Sequence, residues 1–361
     1  MARLGISVYP EHSTREKDIA YIRLAGKYGF KRIFTCLLSV GDRTREELIE
    51  EFRGFIDVAH EEGMEVILDV SPAVFSRLKV SYDDLSLFHE MHADGIRLDE
   101  GFDGLKESLM TYNGGLKIEL NASAGGAYVD TVLSHFPNMD NLITCHNFYP
   151  QKYTGLSLEH FNNCNQAMKK NNLHTAAFVS SNTEGAFGPW PVNEGLCTLE
   201  MHRGLPIDLQ VRHMFATRMI DDVLIANAFA SEEELAACAK LTPGLLTFGI
   251  ELEKELTETE RAILYYEGRH VCRKDVSEYM ARSTLTRIVF KDSPIAPANT
   301  RAIKRGDVII LNDGYSQYKG ELHVALKDMD NDGRKNVIGH LPKRELFLLD
   351  YVEPGRIFGF C

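Results

Sequence analysis

The stretch Gly95-Ile96-Arg97-Leu98-Asp99-Glu100-Gly101, together with Lys117-Ile118-Glu119-Leu120-Asn121-Ala122-Ser123, decides the fold. Each alternates aliphatic with charged or amide side chains, the two-residue period of a β-strand. Working outward, β-branched apolar runs recur at 4–10, 32–38, 65–71, 142–149, 174–181 and 222–227. Between them lie amphipathic stretches such as 15–28, 45–62, 157–170 and 231–239. Thr44 and Ser231 stand where helix N-caps belong, and Glu234 gives Ser231 the capping-box spacing. Strands alternating with helices predict a parallel sheet with crossover helices. Eight such units predict closure into a barrel. The open doubly wound sheet is the competitor, but its Gly-rich first turn is replaced by Pro10-Glu11-His12.

The fold class is therefore α/β: a (β/α)8 TIM barrel over 1–241, followed by a small antiparallel β domain over 242–361. The pattern changes at Leu241-Thr242-Pro243-Gly244. Strand-like runs follow at 246–250, 287–290, 307–311, 322–326 and 346–352, separated by turns such as Asn312-Asp313-Gly314. A barrel takes roughly 250 residues, and the 361-residue chain leaves room for the second domain. One connection, 181–205, is much longer than the rest. It holds the only tryptophan, Trp190, between two prolines, and long loops in compact domains are usually functional.

A net charge of −12 gives no global attraction to nucleic acid or anionic membranes, so an anionic ligand needs a local basic pocket. Met1-Ala2-Arg3 leads into an apolar run too short for a secretory signal, and no run reaches membrane-spanning length. The seven cysteines are scattered with no C-x-x-C pair, as in a reducing cytoplasm. The expectation is a cytoplasmic protein without metal or cofactor, with homo-oligomerisation left open.

If Ile96, Leu98, Ile118 and Leu120 face the helices, Arg97, Asp99, Glu119 and Asn121 point into the barrel. The same reading turns Asp69 inward, puts Ser7 and Tyr9 on one face, and sets Glu100 at the rim. The sixth run ends in His146-Asn147-Phe148-Tyr149 and the seventh in Asn182-Thr183-Glu184. Asp69, Asp99, Glu100, Glu119, Asn121, His146, Asn147, Asn182 and Glu184 thus collect near strand C-terminal ends, where barrel enzymes keep their sites. Crowded carboxylates raise one another's pKa, so one stays protonated beside an ionised partner. Glycoside hydrolysis needs that pairing. The structural alternative is an interior ion-pair layer of Arg97 with Glu119 or Asp69. Tyr9, Tyr149, Phe187 and Trp190 are candidate stacking faces for a sugar. His89-Glu90-Met91-His92 lacks the H-E-x-x-H spacing. Asp328-Met329-Asp330-Asn331-Asp332-Gly333 starts like a calcium loop but has Gly339 where a bidentate Glu is required.

Longer motifs carry a resemblance. They are Gly5-Ile6-Ser7-Val8-Tyr9-Pro10, Gly188-Pro189-Trp190-Pro191-Val192-Asn193-Glu194-Gly195, Thr198-Leu199-Glu200-Met201-His202-Arg203, Ile303-Lys304-Arg305-Gly306-Asp307-Val308 and Tyr318-Lys319-Gly320-Glu321-Leu322. Together they resemble the bacterial 6-phospho-N-acetylmuramidase family (glycoside hydrolase family 170) over essentially the whole chain. Cys197 departs from the proline expected before Thr-Leu-Glu. The resemblance implies a barrel followed by a cyclophilin-like β-barrel, cyclophilin-like in fold only. It also implies hydrolysis of the β-1,4 bond of N-acetylmuramic acid 6-phosphate–N-acetylglucosamine in peptidoglycan recycling.

From strand geometry, Glu100 or Glu119 is the candidate acid and Asp99 its partner. Asp99 either orients the substrate's acetamido group as nucleophile, or a second carboxylate attacks directly or activates water. Arg203 and His202 are candidate anion ligands, with Lys319 as a further donor from the β domain. The structural reading of Arg203 is an ion pair to Glu200 at i,i+3. The competing functions are a non-catalytic sugar-phosphate-binding or sensory protein, and a barrel aldolase or isomerase. Lys117, at the start of its strand, sits at the wrong end for the latter.

Overall fold

The structure is a computed structural model describing residues 2–37 and 43–361; Leu38, placed by the sequence at the end of the second strand, lies outside them, as does Met1. The chain divides into two compact units, 1–214 with 218–240, and 241–361 with 215–217.

The larger unit is a closed barrel of eight parallel strands in sequence order. They are β1 (Arg3–Val8), β2 (Arg32–Cys36), β3 (Glu65–Val70), β4 (Gly95–Leu98), β5 (Lys117–Asn121), β6 (Leu142–Cys145), β7 (His174–Val179) and β8 (Asp222–Ile225). All eight runs hold strands, each strand ending one to four residues before its run does. Helices cross between strands, with the capping boxes at Thr44/Glu47 and Ser231/Glu234 both formed. The strands flanking β4 leave no room for a side chain at Gly95, where a Cβ would lie 2.7 Å from both Ile67 Cδ1 and Lys117 O.

The interior is divided by chemistry. One side is apolar: Tyr9, Phe34, Cys145, Phe148, Phe178 and Leu224 pack together, with the rings of Phe34 and Phe178 edge to face at 5.0 Å. The other side is a ladder of ions. At the strand starts Arg3 bonds Asp222 at 2.7 Å and Lys117 bonds Glu65. Above them the fully buried Arg32 joins Asp222, at 2.8 Å, to Glu119. Higher still, Arg97 meets Asp69. Taking these charges out of water is tolerable only because each has a partner.

The smaller unit holds two sheets. One has five strands, in the order β10 (Glu251–Leu252), β15 (Lys335–His340), β13 (Asp307–Leu311), β14 (Leu322–Ala325), β12 (Met280–Ser283), all antiparallel. The other joins β11 (His270–Val271), β16 (Ile357–Phe360) and β9 (Leu246–Phe248), the last pair parallel. Two sequence expectations are corrected. The run 287–290 lies largely in a helix, Leu285–Val289, and 346–352 falls in a 3-10 stretch, Lys343–Tyr351. Short apolar runs do not separate strand from helix by pattern, and Pro342 stands at the N-cap of the second, where its missing N–H costs the helix nothing.

Candidate active site

The C-terminal ends of β3, β4, β6 and β7 surround a cavity of about 210 Å3. Arg97 stands at its centre. Its Nη1 donates to Asp69 Oδ1 at 2.5 Å and to Asp99 Oδ1 at 3.3 Å, and its Nη2 donates to Asn147 Oδ1. The two carboxylates differ in exposure: the Asp69 side chain is 4% exposed and that of Asp99 40%. Burial, with the nearby Asp99 charge, raises the Asp69 carboxyl to about 6 against the pull of Arg97. Tyr149 and Trp190 complete the wall. The Trp190 ring lies 5.6 Å from that of Phe148, tilted by 43°, and remains 43% exposed.

A hydrogen-bond chain fixes Asn147. Its backbone N–H donates to Ser123 Oγ at 2.8 Å, Ser123 Oγ lies 3.3 Å from His146 Nδ1, and His146 Nε2 lies 3.2 Å from Asn165 Oδ1. That order makes His146 the Nε2–H tautomer, and burial lowers its pKa to about 4, so the ring stays neutral. Asn121 accepts from Ser123 N at 2.9 Å and reaches the Asp99 carbonyl at 3.4 Å, tying two rims together.

Asp69, Asp99, Asn147, Tyr149 and Trp190 therefore meet around one cavity, while other candidates stand elsewhere. Glu119 is fully buried in the bond from Arg32, so a substrate cannot reach it; the interior ion-pair reading describes it, with Arg32 rather than Arg97 as partner. Tyr9 is buried too, its hydroxyl donating to the Ala226 carbonyl. His146 is buried and acts through Ser123. Phe187 packs edge to face on Phe229 at 5.5 Å. Glu100 and Glu184 are exposed and line neither this cavity nor the larger one beside it.

Arg203 is a structural clamp. Its Nε and Nη2 grip Glu200, each at 2.7 Å, Nη1 donates to the carbonyls of Glu194 and Gly195, and Nη2 also to that of Tyr149. All five N–H donors are committed, leaving none for a phosphate. His202 is buried against His213, with Nε2 2.7 Å from its Nδ1. Lys319 pairs with Asp313 at 3.2 Å. Asn182 lines the larger cavity, its Nδ2 donating to Leu205 O at 2.8 Å. Among the described residues no group of three or more His, Cys, Asp and Glu is placed to hold a metal, and no helix is long and apolar enough to cross a membrane.

Sequence reasoning placed Arg97 inward but gave it no part in the site. The signal was there: an arginine between Ile96 and Leu98 inside a barrel has to be paired, and inward carboxylates stand at neighbouring register positions, Asp69↔Arg97 and Arg97↔Glu119.

A barrel holding a buried and a wet carboxylate beside an aromatic wall at this end of its strands has the layout of a glycoside hydrolase. The comparisons with known proteins return that class. The family described as 6-phospho-N-acetylmuramidase matches in both its parts, the N-terminal over residues 4–240 and the C-terminal over 246–361. The chain belongs to this family and is a glycoside hydrolase. It is similar to a solved, uncharacterised B. cereus protein, with 50% identity, TM-score 0.92 and full coverage of both chains. It is also similar to a conserved Enterococcus faecalis protein of unknown function, with 26% identity and TM-score 0.73, covering 100% of this chain and 96% of that one. No curated protein matches the chain.

Proposed function

We propose that the chain hydrolyses the β-1,4 bond of N-acetylmuramic acid 6-phosphate–N-acetylglucosamine, with Asp69 as proton donor and Asp99 as the ionised partner. The observation that carries this is the sharing of one Arg97 nitrogen by two carboxylates of unequal exposure. A dry carboxyl raised to about 6 holds a proton for the leaving oxygen; the wetter Asp99, 3.3 Å from the same Arg97 nitrogen, stands beside it as the second carboxylate. Glu100 and Glu119 give up the acid role on position. The family supports the phosphorylated muramic acid as the glycone, and Asn147, held through its oxygen, offers its NH2 to a hydroxyl or acetamido group.

Two oxygens at 2.5 and 3.3 Å from one nitrogen lie within about 6 Å of each other. That ceiling falls below the roughly 6.5–9.5 Å of inverting enzymes, which leave room for a water between the carboxyl groups. Retention follows whether Asp99 attacks the anomeric carbon or orients the substrate's acetamido oxygen to attack it.

The test is steady-state hydrolysis by Asp69→Asn and Asp99→Asn, with circular dichroism as the folding check. The expected result is kcat lowered by about 10²–10⁴ in each, the usual worth of positioned acid–base groups, with the fold retained. Wild-type kcat in both variants, properly folded, overturns the assignment.

A further inference from the structure

A second cavity, about 650 Å3, opens in the barrel unit and shares no lining residue with the first. The same two loops wall both. Tyr149 and Pro150 line the first and Lys152 and Tyr153 the second; likewise Trp190 lines the first and Asn193 the second. The 149–153 and 190–193 segments thus run from one cavity to the other.

Tyr153 is the side chain that folding does not explain. It is 90% exposed, the highest value among the described large hydrophobic residues, on a backbone with φ of +68°. A non-glycine residue in that region carries strain that surrounding structure must sustain. Here it does. Tyr153 N and Gly155 N each donate to the Glu200 carboxylate at 2.9 Å, Lys152 N donates to Glu194 Oε2 at 3.0 Å, and Glu194 N returns to Pro150 O at 3.0 Å. Arg203 fixes Glu200 in turn, and their hydrogen bond holds that carboxyl down at about 2. Five anchored groups thus present one bare phenol ring at the rim of a polar cavity.

The rest of the lining matches an uncharged polar ligand. Asn182 and Asn193 are tethered through Nδ2 to Leu205 O and Ala186 O, at 2.8 and 2.5 Å, and the oxygens of both amides accept no bond among the described residues. Lys152 faces Glu194 at 4.0 Å and Arg203 closes on Glu200, so the charges cancel. Amide oxygens for hydroxyls and an acetamido N–H, an aromatic face for the C–H side of a ring, and no net charge together fit a neutral saccharide.

We propose that this cavity is the subsite for the uncharged N-acetylhexosamine half of the substrate, with Tyr153 as its stacking face and Asn182 and Asn193 as its acceptors. The assignment rests on the glycosidase reading above.

The experiment is calorimetric titration of the whole chain with N-acetylglucosamine and with N,N′-diacetylchitobiose, for wild type, Tyr153→Ala and Tyr153→Phe, together with KM for the phosphorylated disaccharide. The ring is nearly all in solvent, so neither substitution threatens the fold. Expected are binding to wild type and Tyr153→Phe, at least tenfold weaker binding to Tyr153→Ala, and a KM raised in parallel. No binding to wild type, or equal binding by Tyr153→Ala, overturns the subsite. Cleavage of the disaccharide with Tyr153→Ala kinetics like wild type overturns the subsite and leaves the reaction. Saccharide binding lost in Tyr153→Ala, with no cleavage by any form, keeps the subsite and overturns the reaction.

Discussion

Asp69 receives Nη1 of Arg97 at 2.5 Å in a part of the barrel where almost none of its side chain meets water. The two influences oppose each other: the guanidinium favours the carboxylate and burial favours the acid. Burial prevails, and the carboxyl rises from 3.8 to about 6.

A pH dependence follows. A proton donor works only while protonated, so kcat/KM falls as pH rises through about 6, and Asp69→Asn removes that limb from the profile. The same raised value makes the stability contribution of this group fully present below 3.8 and lost as pH rises through about 6. A pH–rate series on wild type and variant checks the limb; a flat wild-type profile between pH 5 and 8, or a variant that keeps the limb, contradicts the assignment.

Glu119→Ala acts on stability rather than on chemistry. It strips Arg32 of one of two buried carboxylate partners. Breaking a buried pair costs about 3–5 kcal/mol. Urea denaturation reads this as a lowered midpoint, whereas a folded variant retaining its stability contradicts the ion-ladder account.

Arg203→Lys fails to replace arginine. An ammonium has three donors and no fork, while Arg203 bonds Glu200 bidentately and three carbonyls besides. Thermal melting is expected to show a loss of about 2 kcal/mol or more, the scale of charged hydrogen bonds removed. Full stability of Arg203→Lys, with phosphate affinity lost, points instead to an anion ligand.

Trp190→Ala is expected to raise KM roughly tenfold, about 1.4 kcal/mol, because it removes the exposed ring of the catalytic cavity while leaving Phe148 packed on Phe178. Initial rates over a range of disaccharide concentrations measure it.

Much of this was legible in the sequence. The apolar faces Ile96/Leu98 and Ile118/Leu120 turned Arg97 and Glu119 inward correctly, because strand alternation has a fixed period of two. The period does not say how far up the barrel a long side chain reaches. Arg32, at the start of β2, extends upward to Glu119, and no spacing reveals that. The rim position of Glu100 was read correctly, and it is exposed there; what the pattern did not show is that it lines neither cavity. Tyr153 and Asn193 escaped notice because their loops are shaped by Glu200 and Arg203 from another part of the chain. In the smaller unit, the runs 287–290 and 346–352 carried strand-like composition, and tertiary context made them helical.

The most direct test follows the anomeric protons by NMR while the whole chain acts on N-acetylmuramic acid 6-phosphate–N-acetylglucosamine, with Asp99→Asn alongside. The expected result is cleavage by wild type with the β-anomer of N-acetylmuramic acid 6-phosphate appearing first, and cleavage lowered by at least a hundredfold in the variant. The α-anomer appearing first, or no cleavage at all, contradicts the Asp69–Asp99 mechanism.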